Sequence, residues 1–212
     1  IIVNIENPIS IIIWTTTPWT LPSNVAVAVD PDKYYGLYKG PGNEVFIAAA
    51  DQLLEKEYSK IGISDTEDKK IIKGSELLGL RLKHPFSHHQ SKVVGSKFVQ
   101  MDTGAGTIHI APGHCLEDYQ VGLENNLPVI SPIDERGAFT EEISQLAGKR
   151  IFEANPIIIE DLTKRQLLLH QDEISHSYPH CWRCKHPVIY RATEQWFLSV
   201  DYKDLRKRMQ DC

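Results

Sequence analysis

Eleven residues near the start of the chain, 14–24 (WTTTPWTLPSN), limit its folding more than any others. Three consecutive threonines are held between the apolar run 11–13 and a Pro-Trp-Thr-Leu-Pro turn. The run reads as a buried strand, and Pro18 must end it, because proline offers no ladder donor and biases Thr17 away from helix. In extended geometry Thr15 and Thr17 share one face, and Trp14 and Thr16 share the other. Three hydroxyls therefore stand at a strand end, where binding groups are commonly carried. The competing explanation is that β-branched threonine suits a strand for its own sake.

The rest of the chain is punctuated in the same way. Residues 25–29 form a short apolar run ended by Asp30-Pro31-Asp32, and residues 34–38 and 45–48 flank the turn Gly40-Pro41-Gly42-Asn43, a β-meander signature. Residues 51–61 carry Leu53, Leu54 and Tyr58 near helical spacing with charges between, which predicts a surface helix. Residues 69–82 and 92–101 read as strands. Between them His84, His88 and His89 suggest a metal site, but Pro85 and the mixed polar types suit an exposed loop better. Residues 129–133 read as a short strand, 135–139 as a glycine-containing turn, and 157–170, beyond Asn155-Pro156, as an amphipathic helix. Many short strands, few helices and no β-α-β alternation predict a β-rich α+β domain. No internal repeat is present.

A second informative stretch spans 104–119 (GAGTIHIAPGHCLEDY). Strand alternation puts Ile108 and Ile110 on one face and Thr107, His109 and Ala111 on the other, so His109 points away from the apolar side. Pro112 and Gly113 then turn the chain into a helix over 114–124, with Glu117 and Asp118 in its first turns. Carboxylates favour that position through the helix dipole, which accounts for Glu117. For Asp118 the dipole and a functional role stand side by side.

At 212 residues the chain can bury one good core. The formal net charge of -5 argues against a protein that binds nucleic acid mainly by coating phosphates with lysine and arginine. An RNA partner would instead enter a pocket by its end. The apolar runs are too short to cross a bilayer and no secretory signal is visible. Four cysteines, two in a C-x-x-C, fit a reduced, cytoplasmic compartment. The domain division expected is a main body over 1–175 and a C-terminal hairpin with the start of a helix over 176–212. In that second part Cys181 and Cys184 supply two thiolates at zinc-knuckle spacing beside His180 and His186, half of a tetrahedral site, with Cys115 in another element and Cys212 terminal. The chain opens on Ile1 and closes in a charged helix start, and it reads as an excised piece. Neither the HIGH-type nor the KMSKS-type signature is present, so amino-acid activation is not expected.

The two stretches together closely resemble the editing (CP1) domain inserted into class I isoleucyl-tRNA synthetases, and the resemblance extends to HCWRC and RATEQWF near the C-terminus. Valyl and leucyl relatives typically place Arg-Pro after the second threonine, where this chain has Thr17-Pro18-Trp19, and the valyl type usually has lysine where His109 stands. The resemblance implies a closed β-barrel with peripheral helices. It also implies hydrolysis of the ester of mischarged Val-tRNA(Ile), and of Val-AMP, by a positioned water with no covalent intermediate. One methylene separates isoleucine from valine, a limit for which isoleucyl enzymes are themselves the standard worked example, at about 150-fold discrimination. Such a site needs an acceptor for the substrate ammonium, for which Asp118 is the candidate. It needs groups that align water and stabilise the oxyanion, for which Thr15, Thr16 and Thr17 are the candidates. His109 would reject isoleucine, and Trp14 and Trp19 would bind substrate, Trp19 by stacking on the terminal adenosine. The implied partners are the 3′ end of tRNA(Ile), valine or Val-AMP, and the rest of the synthetase. No cofactor is implied for editing; ATP belongs to the full-length enzyme, and zinc is not expected here. A pure RNA-binding module and a structural zinc module are the rival readings.

Overall fold

A computed structural model describes the chain apart from residues 1, 6–8, 41–43, 52–57, 67–69, 88, 176 and 212. Ten strands are described: β1 (Ile2–Ile5), β2 (Ile9–Ile12), β3 (Ala26–Val29), β4 (Tyr34–Lys39), β5 (Val45–Ala49), β6 (Ser64–Asp65), β7 (Ile71–Lys73), β8 (Arg81–Lys83), β9 (Gln90–Gly95) and β10 (Ile108–Ile110). The helices are α1 (Gly74–Leu77), α2 (Leu116–Glu124), α3 (Ile151–Lys164) and α4 (Leu205–Gln210). The strands form one mixed sheet in the order β10-β3-β9-β8-β1-β2-β5-β4-β6, with β7 also on β4. The meander β4–β5 is antiparallel as the turn signal predicts, whereas β2 lies parallel to β5 and β3 parallel to β9.

The closed barrel expected from the resemblance is not formed: among the described residues the end strands β10 and β6 do not pair. The sheet curls enough for the chain entering β10 to touch its far side. The Ala49 N–H donates to the Ala105 carbonyl at 2.8 Å, and the Thr107 hydroxyl donates to the Ile12 carbonyl. Gly104 and Gly106, at φ +66° and +64°, hold this entry outside strand geometry, so the contact does not extend into a ladder. The result is a mixed α/β fold around an open, curled sheet.

Period-two alternation partitions the core. On β3, Val27 and Val29 join the main cluster, and Ala26 and Ala28 face a second cluster that includes Val121 of α2. Ile11 and Ile13 face the main cluster while Ile12 faces a third. Helix α3 closes the main cluster with Ile151, Ala154, Ile158 and Leu162, one helical stripe. That helix corrects the expectation of a break at Asn155-Pro156, since it runs straight through Pro156. An interior proline costs about 3 kcal/mol, but burying each large aliphatic of the stripe contributes roughly 1.5–3 kcal/mol and outweighs it.

Three other elements differ from the sequence reading. Residues 69–82 are split by α1 into β7 and β8, and 129–133 contains a lone bridge, Ile133 to Phe139, in place of a strand. The loop after β8 is not fully exposed: His84 is buried, and its Nδ1 accepts the N–H groups of Phe86 and Ser87, both at 2.9 Å. His88 lies outside the described residues. So does most of the helix expected over 51–61, of which 58–60 are helical with Tyr58 buried. Among the described residues no helix is long and apolar enough to cross a membrane.

Candidate active site

The loop leaving β2 and the strand β10, through Thr107, Ile108 and His109, meet over a cavity of about 520 Å³. Its first wall is the threonine loop. The strand ends at Ile12, well before Pro18, and a 3-10 helix over Pro18–Ser23 turns the hydroxyls back on one another. Thr15 Oγ1 accepts the Thr17 N–H at 3.1 Å and lies 3.4 Å from Thr17 Oγ1, a contact made by the bend at Thr16 and not by strand alternation, since β2 has already ended at Ile12. Thr17 Oγ1 is in turn 3.4 Å from Thr20 Oγ1. Thr16 also lines the cavity and is exposed. Trp14 is 51% exposed at the rim. Trp19 is only 3% exposed: its N–H donates to Asn155 Oδ1 at 2.9 Å and its ring meets the edge of His114 at 4.9 Å.

His109 forms the second wall. The Thr20 hydroxyl lies 2.9 Å from the Thr17 carbonyl, which also accepts the Thr20 backbone N–H at 3.0 Å, and 2.9 Å from His109 Nε2. Asn24 Nδ2 approaches His109 Nδ1 at 3.5 Å from the other side as a donor. The ring is held neutral by its burial. Burial pushes its pKa down to about 4, and the neighbouring His84 and His114 add to the effect.

Asp118, at the third position of α2, forms the third wall. It is 7% exposed, and Oδ2 accepts the Ala111 N–H at 2.8 Å. Among the described residues no lysine or arginine pairs with it. Burial raises its pKa above the ordinary carboxylate value, against the Ala111 N–H, which lowers it. A buried carboxylate without a cation, beside a cluster of hydroxyls, is suited to receive a positively charged group from a ligand.

The last wall comes from the C-terminal segment, through Tyr178, Pro179, Val188 and Tyr190. This segment is fastened by Ala192 N–H to the Gly113 carbonyl at 2.8 Å, by His114 Nδ1 to the Tyr190 carbonyl at 3.2 Å, and by Arg191 to the Ile133 carbonyl at 3.1 Å. His114 Nε2 reaches Ser23 at 3.1 Å, tying the segment to the threonine loop.

The structure thus brings Trp14, Thr15, Thr16, Thr17, Trp19, His109 and Asp118 to one cavity. Sequence reasoning missed Thr20, Asn24 and His114. Thr20 alone had a local signal, since residues three apart superpose along a 3-10 helix and Thr17 precedes it by three. Glu117 accepts the Cys115 thiol at 3.0 Å and is not among the cavity residues. Cys115 does line the cavity, and burial pushes its thiol up to about 12, which makes it a poor nucleophile. Cys181 and Cys184 lie on a separate knuckle closed by Cys181 N–H to the His186 carbonyl at 2.8 Å and Lys185 N–H to the Cys181 carbonyl at 2.9 Å. The N–H groups of Cys184 and Arg183 lower the Cys181 thiol pKa. Among the described residues no group of three or more metal-ligating side chains occurs.

Known proteins share both the sequence and the fold. No family model matches the chain. The isoleucine–tRNA ligase of Kosmotoga olearia is 50% identical over 93% of this chain, and that of Thermotoga petrophila is 49% identical over 94%. The chain spans about a fifth of these relatives, 21% and 22% of their lengths. Among solved structures, GlLeuRS-CP1 superposes with a TM-score of 0.63 over 81% of this chain and 84% of its own, at 18% identity. The P.knowlesi cytosolic leucyl-tRNA synthetase editing domain gives 0.55 over 74% and 82%, at 14% identity. Such low identities carry the fold alone. The fold is that of aminoacyl-tRNA synthetase editing domains, and the sequence is similar to a segment of the isoleucine–tRNA ligases.

Proposed function

We propose that the cavity hydrolyses the ester of mischarged Val-tRNA(Ile), and the mixed anhydride of Val-AMP, within a cytoplasmic isoleucine–tRNA ligase. The observation that carries this reading is the buried carboxylate of Asp118, without a cation partner among the described residues, in the same cavity as the threonine hydroxyls. In the reaction the substrate ammonium pairs with Asp118 while Oδ2 keeps the Ala111 N–H. Thr15 and Thr17 orient a water toward the ester carbonyl and stabilise the developing oxyanion, with Thr16 at the exposed side. The water oxygen bonds to the carbonyl carbon, the bond to the ribose oxygen breaks, and the leaving ribose hydroxyl takes up a proton. Valine and tRNA result.

No step passes through a covalent intermediate. The Cys115 thiol is held protonated, and both ring nitrogens of the buried, neutral His109 already have partners in Thr20 and Asn24. His109 instead bounds the side-chain pocket and excludes the extra methylene of isoleucine. The terminal adenosine stacks on Trp14, which is exposed at the rim, and buried Trp19 supports the loop beneath. Single-turnover deacylation of Val-tRNA(Ile) by the isolated chain tests the reading. A rate equal to spontaneous hydrolysis, with tRNA still bound, would leave the RNA-binding module as the better account.

A further inference from the structure

The chain carries 28 acidic residues, yet residues 174–193 contain none, and within that window stand Arg183, Lys185 and Arg191. The window includes the knuckle over 180–187. Both its feet line the cavity: Pro179 on one side and Val188 on the other, joined by Val188 N–H to the Pro179 carbonyl at 3.0 Å. The knuckle therefore stands at the cavity mouth. Trp182 is 76% exposed with the Arg183 guanidinium 4.9 Å over its ring, and among the described residues neither Arg183 nor Lys185 forms a salt bridge.

We propose that this knuckle binds the single-stranded RNA whose esterified 3′ end enters the cavity, with Arg183 and Lys185 on its phosphates and Trp182 as a stacking surface for an unpaired base. The inference rests on reading the cavity as a site for an aminoacylated RNA end. Cations beside an exposed indole are the usual means of holding a single strand without reading its sequence. A chain with net charge -5 can gain attraction for a polyanion only where its acids are locally absent, and the cavity mouth is such a place. A contact for another protein segment would also cover Trp182, but it gives no reason for unpaired cations in a window free of acids.

The test measures fluorescence anisotropy of a 5′-labelled single-stranded RNA ending in CCA, titrated with the whole chain at several KCl concentrations. The double variant R183E/K185E is expected to weaken binding by about tenfold or more, and to reduce the slope of log K against log salt by about 1.4, roughly 0.7 for each phosphate released. W182A is expected to weaken binding with the slope unchanged. Hydrolysis of 3′-O-valyl adenosine, which has no phosphodiester, should be unaffected by R183E/K185E, while the KM for Val-tRNA(Ile) rises. Unchanged RNA affinity and slope in R183E/K185E would assign the knuckle to a protein contact and overturn the proposal. So would an equal loss on valyl adenosine, which marks a structural role. Should the parent bind RNA with the expected slope but hydrolyse neither ester, the hydrolytic reading fails and the binding surface stands.

Discussion

Replacing Asp118 by asparagine separates a ligand-binding carboxylate from a structural one. The asparagine carbonyl can take the place of Oδ2 and keep the 2.8 Å bond from the Ala111 N–H, so the join between β10 and α2 survives. What is lost is the charge facing the cavity. A charge-assisted hydrogen bond to an ammonium is worth roughly 1.5–3 kcal/mol, which corresponds to about a 10- to 150-fold loss in kcat/KM for Val-tRNA(Ile). Stability should move the other way or not at all. Burial raises the Asp118 pKa, so between the ordinary and the raised value the folded state holds the extra proton. Stability therefore falls as pH rises through that window, and the cost of the buried charge persists at pH 7. Asparagine removes that cost and gives up about 0.3–1 kcal/mol of helix-dipole interaction. The variant should melt within about 2–4 °C of the parent. Single-turnover deacylation and thermal unfolding, run on the same preparation, decide the matter. Full activity would refute the assignment, and a large drop in melting temperature with the loss of activity would make Asp118 a helix-terminus residue and nothing more.

Three further outcomes are expected. His109→Ala should shift the ratio of deacylation rates on Ile-tRNA(Ile) and Val-tRNA(Ile) toward isoleucine by about fourfold, the equivalent of one methylene at ~0.8 kcal/mol; a common fall in both rates with an unchanged ratio would place the size filter elsewhere. Purified chain should hold clearly less than one zinc per molecule by elemental analysis, since Cys181 and Cys184 leave a tetrahedral ion half satisfied, and a tightly held stoichiometric zinc would contradict this. Acid should destabilise the fold early, because His84 and His109 are both held down to about 4 from an ordinary value of 6.5. The unfolded state binds protons below pH 6.5 that the folded state refuses until about pH 4, so stability is full above that window and declines through it by up to about 1.4 kcal/mol per pH unit for each ring. Urea midpoints that stay constant from pH 7 to pH 5 would refute the neutral-histidine assignment.

What could be read from the sequence was local. The alternation that separates Ile11 and Ile13 from Ile12, and His109 from Ile108 and Ile110, follows from two-residue periodicity and needs no knowledge of partners. The pairing of β4 with β5 follows from their intervening turn in the same way. Parallel partners carry no such mark: Ser10 meets Phe46 and Val27 meets Val93 because the whole sheet curls, and no short window encodes that. The resemblance carried the expectation of closure too far, because it could not register that Gly104 and Gly106 keep the entry to β10 out of ladder geometry.

The same boundary between local and distant divides the site. Thr15 and Thr17 declare themselves as neighbours two residues apart, but the bonds that fix the chemistry of the opposite wall span far more chain. Thr20 to His109 bridges 89 positions, Asn24 to His109 bridges 85, and Ser23 to His114 bridges 91. All three begin in the short helix Pro18–Ser23 or at its cap, Asn24, so that turn of chain aims Thr20, Ser23 and Asn24 at β10 and the turn beyond it. Nothing in the spacing of His109 announces that Thr20 and Asn24 stand at its two ring nitrogens; that appears only when the fold brings them together. Burial keeps the imidazole neutral, as a wall of the cavity. For that reason the hydrolysis is assigned to water oriented by hydroxyls, with the charge recognition left to Asp118.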